Sequence, residues 1–158
     1  MPAREPIVVE FHEDRRSAVV DRMVAMAEAG RGWINLSPGL DVDVPPPARS
    51  ALASLVGSRG PIVPLGTWSA AQRREPATVG VHHGEGPKAL ALLHDRGVPL
   101  PEGWRRLQDH PKRGLVLVPT PASTAAELDE VLAWLLRATA AMCPVRRTGE
   151  WRAYVYRP

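Results

Sequence analysis

A lone cysteine, Cys143, leaves the chain without an intrachain disulfide or a cysteine-built metal site, since each needs a second thiol. Long apolar runs are missing too, and no segment reads as a membrane span. The opening Met1-Pro2-Ala3-Arg4-Glu5 lacks the apolar stretch of a secretory signal, so a cytoplasmic protein is the expectation. Lysine is scarce: of the 20 basic residues only Lys88 and Lys112 are not arginine. The net charge of +3 is too small an excess to indicate nucleic acid. No Gly-x-Ser-x-Gly nucleophile elbow occurs, and no serine stands in a recognisable nucleophile setting.

What is present fits a modest globular protein. A chain of 158 residues with 44% hydrophobic side chains can bury one good core and is short for two. The expectation is therefore a single domain over 1–158, with residues 57–76 as the place for a boundary between lobes if there are two.

Ile7–His12 alternates as a strand, and Asp14 is positioned to cap a helix running to about Glu28. Val20, Met23, Val24 and Ala27 give that helix one apolar stripe, and Gly30 ends it. Trp33–Leu36 reads as a short second strand. Residues 37–47 read as a Pro-rich loop leading to a helix at Ala48–Val56. Ile62–Leu65, flanked by proline, reads as an edge strand.

Further on, Thr78–His82 is a strand and Pro87–Arg96 a helix. A long loop follows as far as Gly114, and Leu115–Val118 has the continuous apolarity of a buried strand. Thr124 and Glu127 have capping-box spacing at the start of a helix that stops at Pro144, and Trp151–Arg157 closes the chain as a strand. The pattern predicts an α/β or α+β fold. Its order is β-α-β, a Pro-rich middle, then β-α-β-α-β, as a mixed sheet of five to six strands with three main helices packed on it.

Chemistry concentrates in two places. The first is His82-His83-Gly84-Glu85-Gly86-Pro87-Lys88-Ala89, where a strand feeds a helix. Gly84-x-Gly86-x-x-Ala89 fits a loose dinucleotide fingerprint, but Pro87 lies inside it and no acid ends the next strand. The spacing before Lys88 excludes a nucleoside triphosphate P-loop.

If Gly86 caps the helix, Lys88 sits in its first turn, where the helix dipole disfavours a cation by a few tenths of a kcal/mol. An anion held by the amides of Lys88 and Ala89 would reverse that cost. Glu85 supplying the charge locally is the plainer alternative. His82 and His83 point to opposite faces of a regular strand and do not suit one metal ion.

The second concentration is Asp109-His110-Pro111-Lys112-Arg113-Gly114. Asp109 can orient an imidazole, and Lys112 with Arg113 can hold a phosphate or carboxylate. A solvated turn is the plainer alternative. Antiparallel strands would bring the two clusters together; parallel strands would separate them unless the intervening loop folds back.

The leading expectation is a module binding a small anionic ligand through Gly84, Gly86, Lys88, Ala89, Lys112 and Arg113, with no metal or cofactor. The alternatives are an enzyme using His83 or His110 with Glu85 or Asp109 in acid–base chemistry on a phosphorylated or acyl substrate, and an interaction protein. The last would be a homo-oligomer formed through a strand edge or the Trp68–Trp104 region. Arg105-Arg106 beside Trp104 and Arg146-Arg147 near Trp151 read as solvated arginines over packed tryptophans rather than a nucleic-acid surface.

Overall fold

The computed structural model describes residues 4–41 and 63–157. The helix expected at Ala48–Val56 and most of the Pro-rich segment lie outside them. The elements in chain order are β1 (Ile7–His12), α1 (Ser17–Ala29), β2 (Trp33–Leu40), β3 (Leu65–Ser69) and β4 (Thr78–His82), then α2 (Ala89–Asp95), β5 (Arg105–His110), β6 (Gly114–Val118), α3 (Ala125–Ala141) and β7 (Arg147–Tyr156).

All described strands join one seven-stranded sheet in the order β1-β7-β2-β3-β4-β6-β5, and every neighbouring pair is antiparallel. This corrects the expected mixed sheet of five to six strands and its element order; the fold is α+β. The extra strand is β5, RRLQDH, whose polar composition hides it from a hydrophobic pattern. An edge strand needs little apolar surface, because only one of its sides is paired. The opening β-α-β is split: β7 lies between β1 and β2 and pairs antiparallel with both.

Two further boundaries move for local reasons. β2 continues through Ser37-Pro38-Gly39, read above as loop, with a register shift between Pro38 and Leu40. A bulge is where a sheet tolerates a proline. β3 starts at Leu65 and is the central strand, not an edge; Ile62, where the expected strand began, lies outside the described residues.

Register sorts the side chains onto two faces. Ile34, Trp68, Val79 and Leu117 align across β2, β3, β4 and β6 and are buried, as are Leu36, Val81 and Leu115 in the next row. On this face α1 and α3 pack, contributing Val20, Met23, Leu128, Leu132 and Leu135 to the same core. Gly66 lets α3 come close, since a Cβ there would stand 2.7 Å from Thr139 Oγ1 and 3.4 Å from Leu135.

The opposite face carries the row Val8, Tyr154, Asn35, Thr67, Gly80, Val116 and Gln108, which is only partly covered or exposed. Trp33 and Tyr156 stack beside this row, with ring centroids 5.0 Å apart.

The helix ends follow local chemistry. Thr124 and Glu127 form the expected capping box. Gly30 takes the left-handed conformation, φ 64°, after α1. Arg16, not Asp14, occupies the N-cap of α1, without a side-chain cap bond. Its guanidinium instead donates from Nε and Nη2 to both oxygens of Asp129 on α3, each at 2.9 Å. That fork ties the first helix to the last and holds the Asp129 carboxyl below its usual range.

Candidate functional site

The antiparallel sheet settles how the two polar clusters relate. β5 and β6 form a hairpin, β6 pairs with β4, and residues 84–89 therefore meet Asp109. Asp109 aligns with Leu115 and so faces the helix side, where α2 lies. Its carboxylate accepts from Ala89 N at 3.0 Å and Leu90 N at 3.2 Å.

The anion at the start of α2 is thus the protein's own. α2 begins at Ala89, its cap position is Lys88 at φ 63°, and Gly86 and Pro87 precede the helix instead of opening it. A lysine in left-handed backbone is uncommon. With Asp109 supplying both acceptors from another strand, the helix needs no capping side chain from its own sequence.

The histidines serve the backbone as well. His83 is 1% exposed, and its Nδ1 accepts from Glu85 N at 3.2 Å. The proton therefore sits on Nε2, which is buried without a partner. Burial lowers the His83 pKa, opposed by the negative charges of Asp109 and Glu85.

His110 Nδ1 accepts from Lys112 N at 3.1 Å and Arg113 N at 3.2 Å, closing the β5–β6 turn. Glu85 lies 3.7 Å from Arg96, which also donates to the Ala141 carbonyl. Gly84 stays in the loop between His83 and Glu85. No hydrogen bond joins His83 or His110 to the side chain of Glu85 or Asp109 among the described residues. Nor do any three His, Cys, Asp or Glu side chains there gather as a metal site.

A different site appears at the other end of the sheet. A cleft of ≈ 580 Å³ is lined by Ala27, Trp68, Ala77, Arg105, Val118 and Pro121, among others. It lies where the end of α1, the end of β3, the starts of β4 and β5 and the end of β6 converge. The chain from β6 into α3, Pro119-Thr120-Pro121-Ala122-Ser123, forms one wall.

Pro76, Pro119 and Pro121 hold φ fixed, so the walls are stiff before any ligand arrives. Trp68 is 2% exposed and supplies an aromatic surface continuous with the core. The lining is mainly apolar. Arg105 and Glu28 bring opposite charges, Thr120 a hydroxyl, and Arg105 makes no ion pair among the described residues.

Of these residues, sequence reading named Ala27 and Val118 as core and Arg105 and Trp68 for other roles, none of them for a cleft. The available signal was the run Val118–Ser123: a buried strand that ends in two prolines just before a capped helix. Comparison with protein-family models, curated proteins and solved structures found no match. What fold and cleft define is a class: an α+β protein with one helix-covered antiparallel sheet and a preformed apolar cleft at its rim.

Proposed function

We propose that the protein is a cytoplasmic binding module for a small ligand with an apolar body and one anionic group, a carboxylate or phosphate, seated in the Trp68–Arg105 cleft. The carrying observation is the mainly apolar cleft of ≈ 580 Å³ with the Arg105 guanidinium on it, which makes no ion pair among the described residues. Its volume falls in the range of small-molecule sites, roughly 300–1,000 Å³, and apolar walls with few polar groups are their usual chemistry. Arg105 offers a planar fork that matches a carboxylate or phosphate. Glu28 keeps the local charge near neutral, so burial of the apolar body carries the affinity and Arg105 orients the ligand.

The expected anion is retained in this reading, but its seat moves. At Ala89 an incoming anion would have to displace Asp109, whereas at Arg105 no ion pair among the described residues has to be broken. The lone thiol of Cys143, which is not disulfide-bonded, is compatible with a reducing compartment.

The test is titration with 1-anilinonaphthalene-8-sulfonate, an aromatic body bearing one anionic group, followed by fluorescence and by amide shifts in NMR. Saturable binding is expected, with shifts around Trp68, Ala77 and Pro119–Ser123. Ala122→Trp should abolish it by filling the cleft. Arg105→Ala should weaken it about tenfold or more, the usual worth of a charge-assisted hydrogen bond. Binding left unchanged by Ala122→Trp, or shifts confined to another surface, would overturn the proposal.

A further inference from the structure

The two edges of the sheet are not alike. β5 carries a register shift between Arg106 and Gln108, and Arg105 and Arg106 are both exposed on it. Bulges and exposed charges are the devices by which proteins keep sheet edges from pairing with other strands. β1 has neither. It pairs with β7 in unbroken register from Ile7 to His12, and its sequence, IVVEFH, contains no proline, lysine or arginine.

Its exposed side chains are apolar at the outer end: Ile7 is 40% and Val8 50% exposed. Val8 lies across from Tyr154, one alternation along β7 from the Tyr156 ring that stacks on Trp33, itself 40% exposed. Among the described residues no strand pairs with the outer side of β1, and that edge is continuous with an apolar corner of the open sheet face.

We propose that β1 is a self-association edge, and that two copies of the chain join antiparallel through it into one continuous fourteen-stranded sheet. The occupant is a second copy because β1 is compatible with itself. About a two-fold axis at Val9, Val9 meets its own mate, Ile7 meets Phe11 and Val8 meets Glu10. No like charges then stand opposite one another.

The aromatic–β-branched pair Ile7–Phe11 falls on the helix-covered face, where Phe11 is already buried. Glu10 keeps its ion pair with Arg152 at 3.2 Å within each copy. A register one alternation further would set Glu10 against Glu10, which disfavours it. The same reasoning disfavours pairing through β5, where Arg105 and Arg106 would crowd the seam.

The experiment is sedimentation equilibrium of the full chain from low micromolar to near-millimolar concentration, on wild type, Val8→Glu and Leu107→Lys. Leu107 is the exposed apolar residue of the other edge, at 55%. The expected result is a concentration-dependent rise to twice the chain mass. Val8→Glu, which sets a second carboxylate opposite Glu10 of the mate twice across the seam, should weaken that association at least about tenfold, while Leu107→Lys leaves it unchanged. If the glutamate variant does not fold, Val8→Lys reads the same register with the opposite sign: it faces Glu10 of the mate and should strengthen the association. A wild type that stays monomeric across the range overturns the proposal. So does a dimer indifferent to both Val8 substitutions, or one dissolved by Leu107→Lys.

Discussion

Replacing Asp109 with alanine removes the two acceptors that hold the start of α2. The carboxylate receives Ala89 N and Leu90 N at 3.0 and 3.2 Å, and no side chain of α2's own cap position takes its place. Loss of a helix-capping acceptor costs about 0.5–2 kcal/mol. Loss of a negative charge beside the positive end of a helix adds roughly 0.3–1 kcal/mol, less for so short a helix. The combined effect is about 1–3 kcal/mol.

For a chain of this size that lowers Tm by about 2–4 °C per kcal/mol, hence by roughly 2–12 °C. Asp109→Asn keeps one acceptor oxygen and should fall between. Differential scanning calorimetry gives the shift, and hydrogen exchange at Leu92 and Leu93 localises it to α2. Inorganic phosphate gives a sharper contrast. It should raise the Tm of Asp109→Ala more than that of wild type, because only the variant has free amides to offer. Unchanged Tm and unchanged exchange in Asp109→Ala would refute the assignment of Asp109 as the anion of this helix.

Three other outcomes follow from the described contacts. Burial holds His83 neutral below the pH at which an unfolded histidine takes up a proton. The unfolded chain therefore binds more protons as pH falls below about 6.5, and stability should decline there by up to about 1.4 kcal/mol per pH unit. Urea denaturation between pH 7 and 5 should show that slope flattened in His83→Gln. Gly66→Ala places a methyl 2.7 Å from Thr139 Oγ1, whose hydroxyl already donates to Leu135 O at 2.8 Å. Overpacking of about 1–3 kcal/mol is expected, measurable as a lower denaturation midpoint without loss of strand signal. A double-mutant cycle on Arg16 and Asp129 should give a coupling of about 0.5–1 kcal/mol. The fork is bidentate, but the two side chains are 25% and 41% exposed and solvent screens much of it.

Much of the local structure was legible in the chain because local rules wrote it. Alternation of Ile7, Val9 and Phe11, the stripe along α1, the Gly30 stop and the Thr124–Glu127 box depend on neighbours within a few residues, and each is present in the fold. β5 was not legible. RRLQDH has no strand pattern, and its conformation is set by hydrogen bonds to β6. The site read at 84–89 shows the same division. His83, Glu85 and Lys88 do crowd a strand-to-helix turn, but the partner that satisfies the helix lies twenty residues away. The Trp68–Arg105 cleft is assembled from five strand or helix ends with no shared sequence signal.

The sequence by itself determined the Gly30 stop, the Thr124–Glu127 box and the apolar stripes of the strands and helices it showed, since those are properties of spacing along the chain. Only the tertiary structure decided that every strand runs antiparallel to its neighbours, that β7 separates β1 from β2, and that Asp109 occupies the anion position at α2. The physical reason is that sheet order and capping across strands are fixed by backbone hydrogen bonds between distant residues. Such bonds leave no periodicity in either partner.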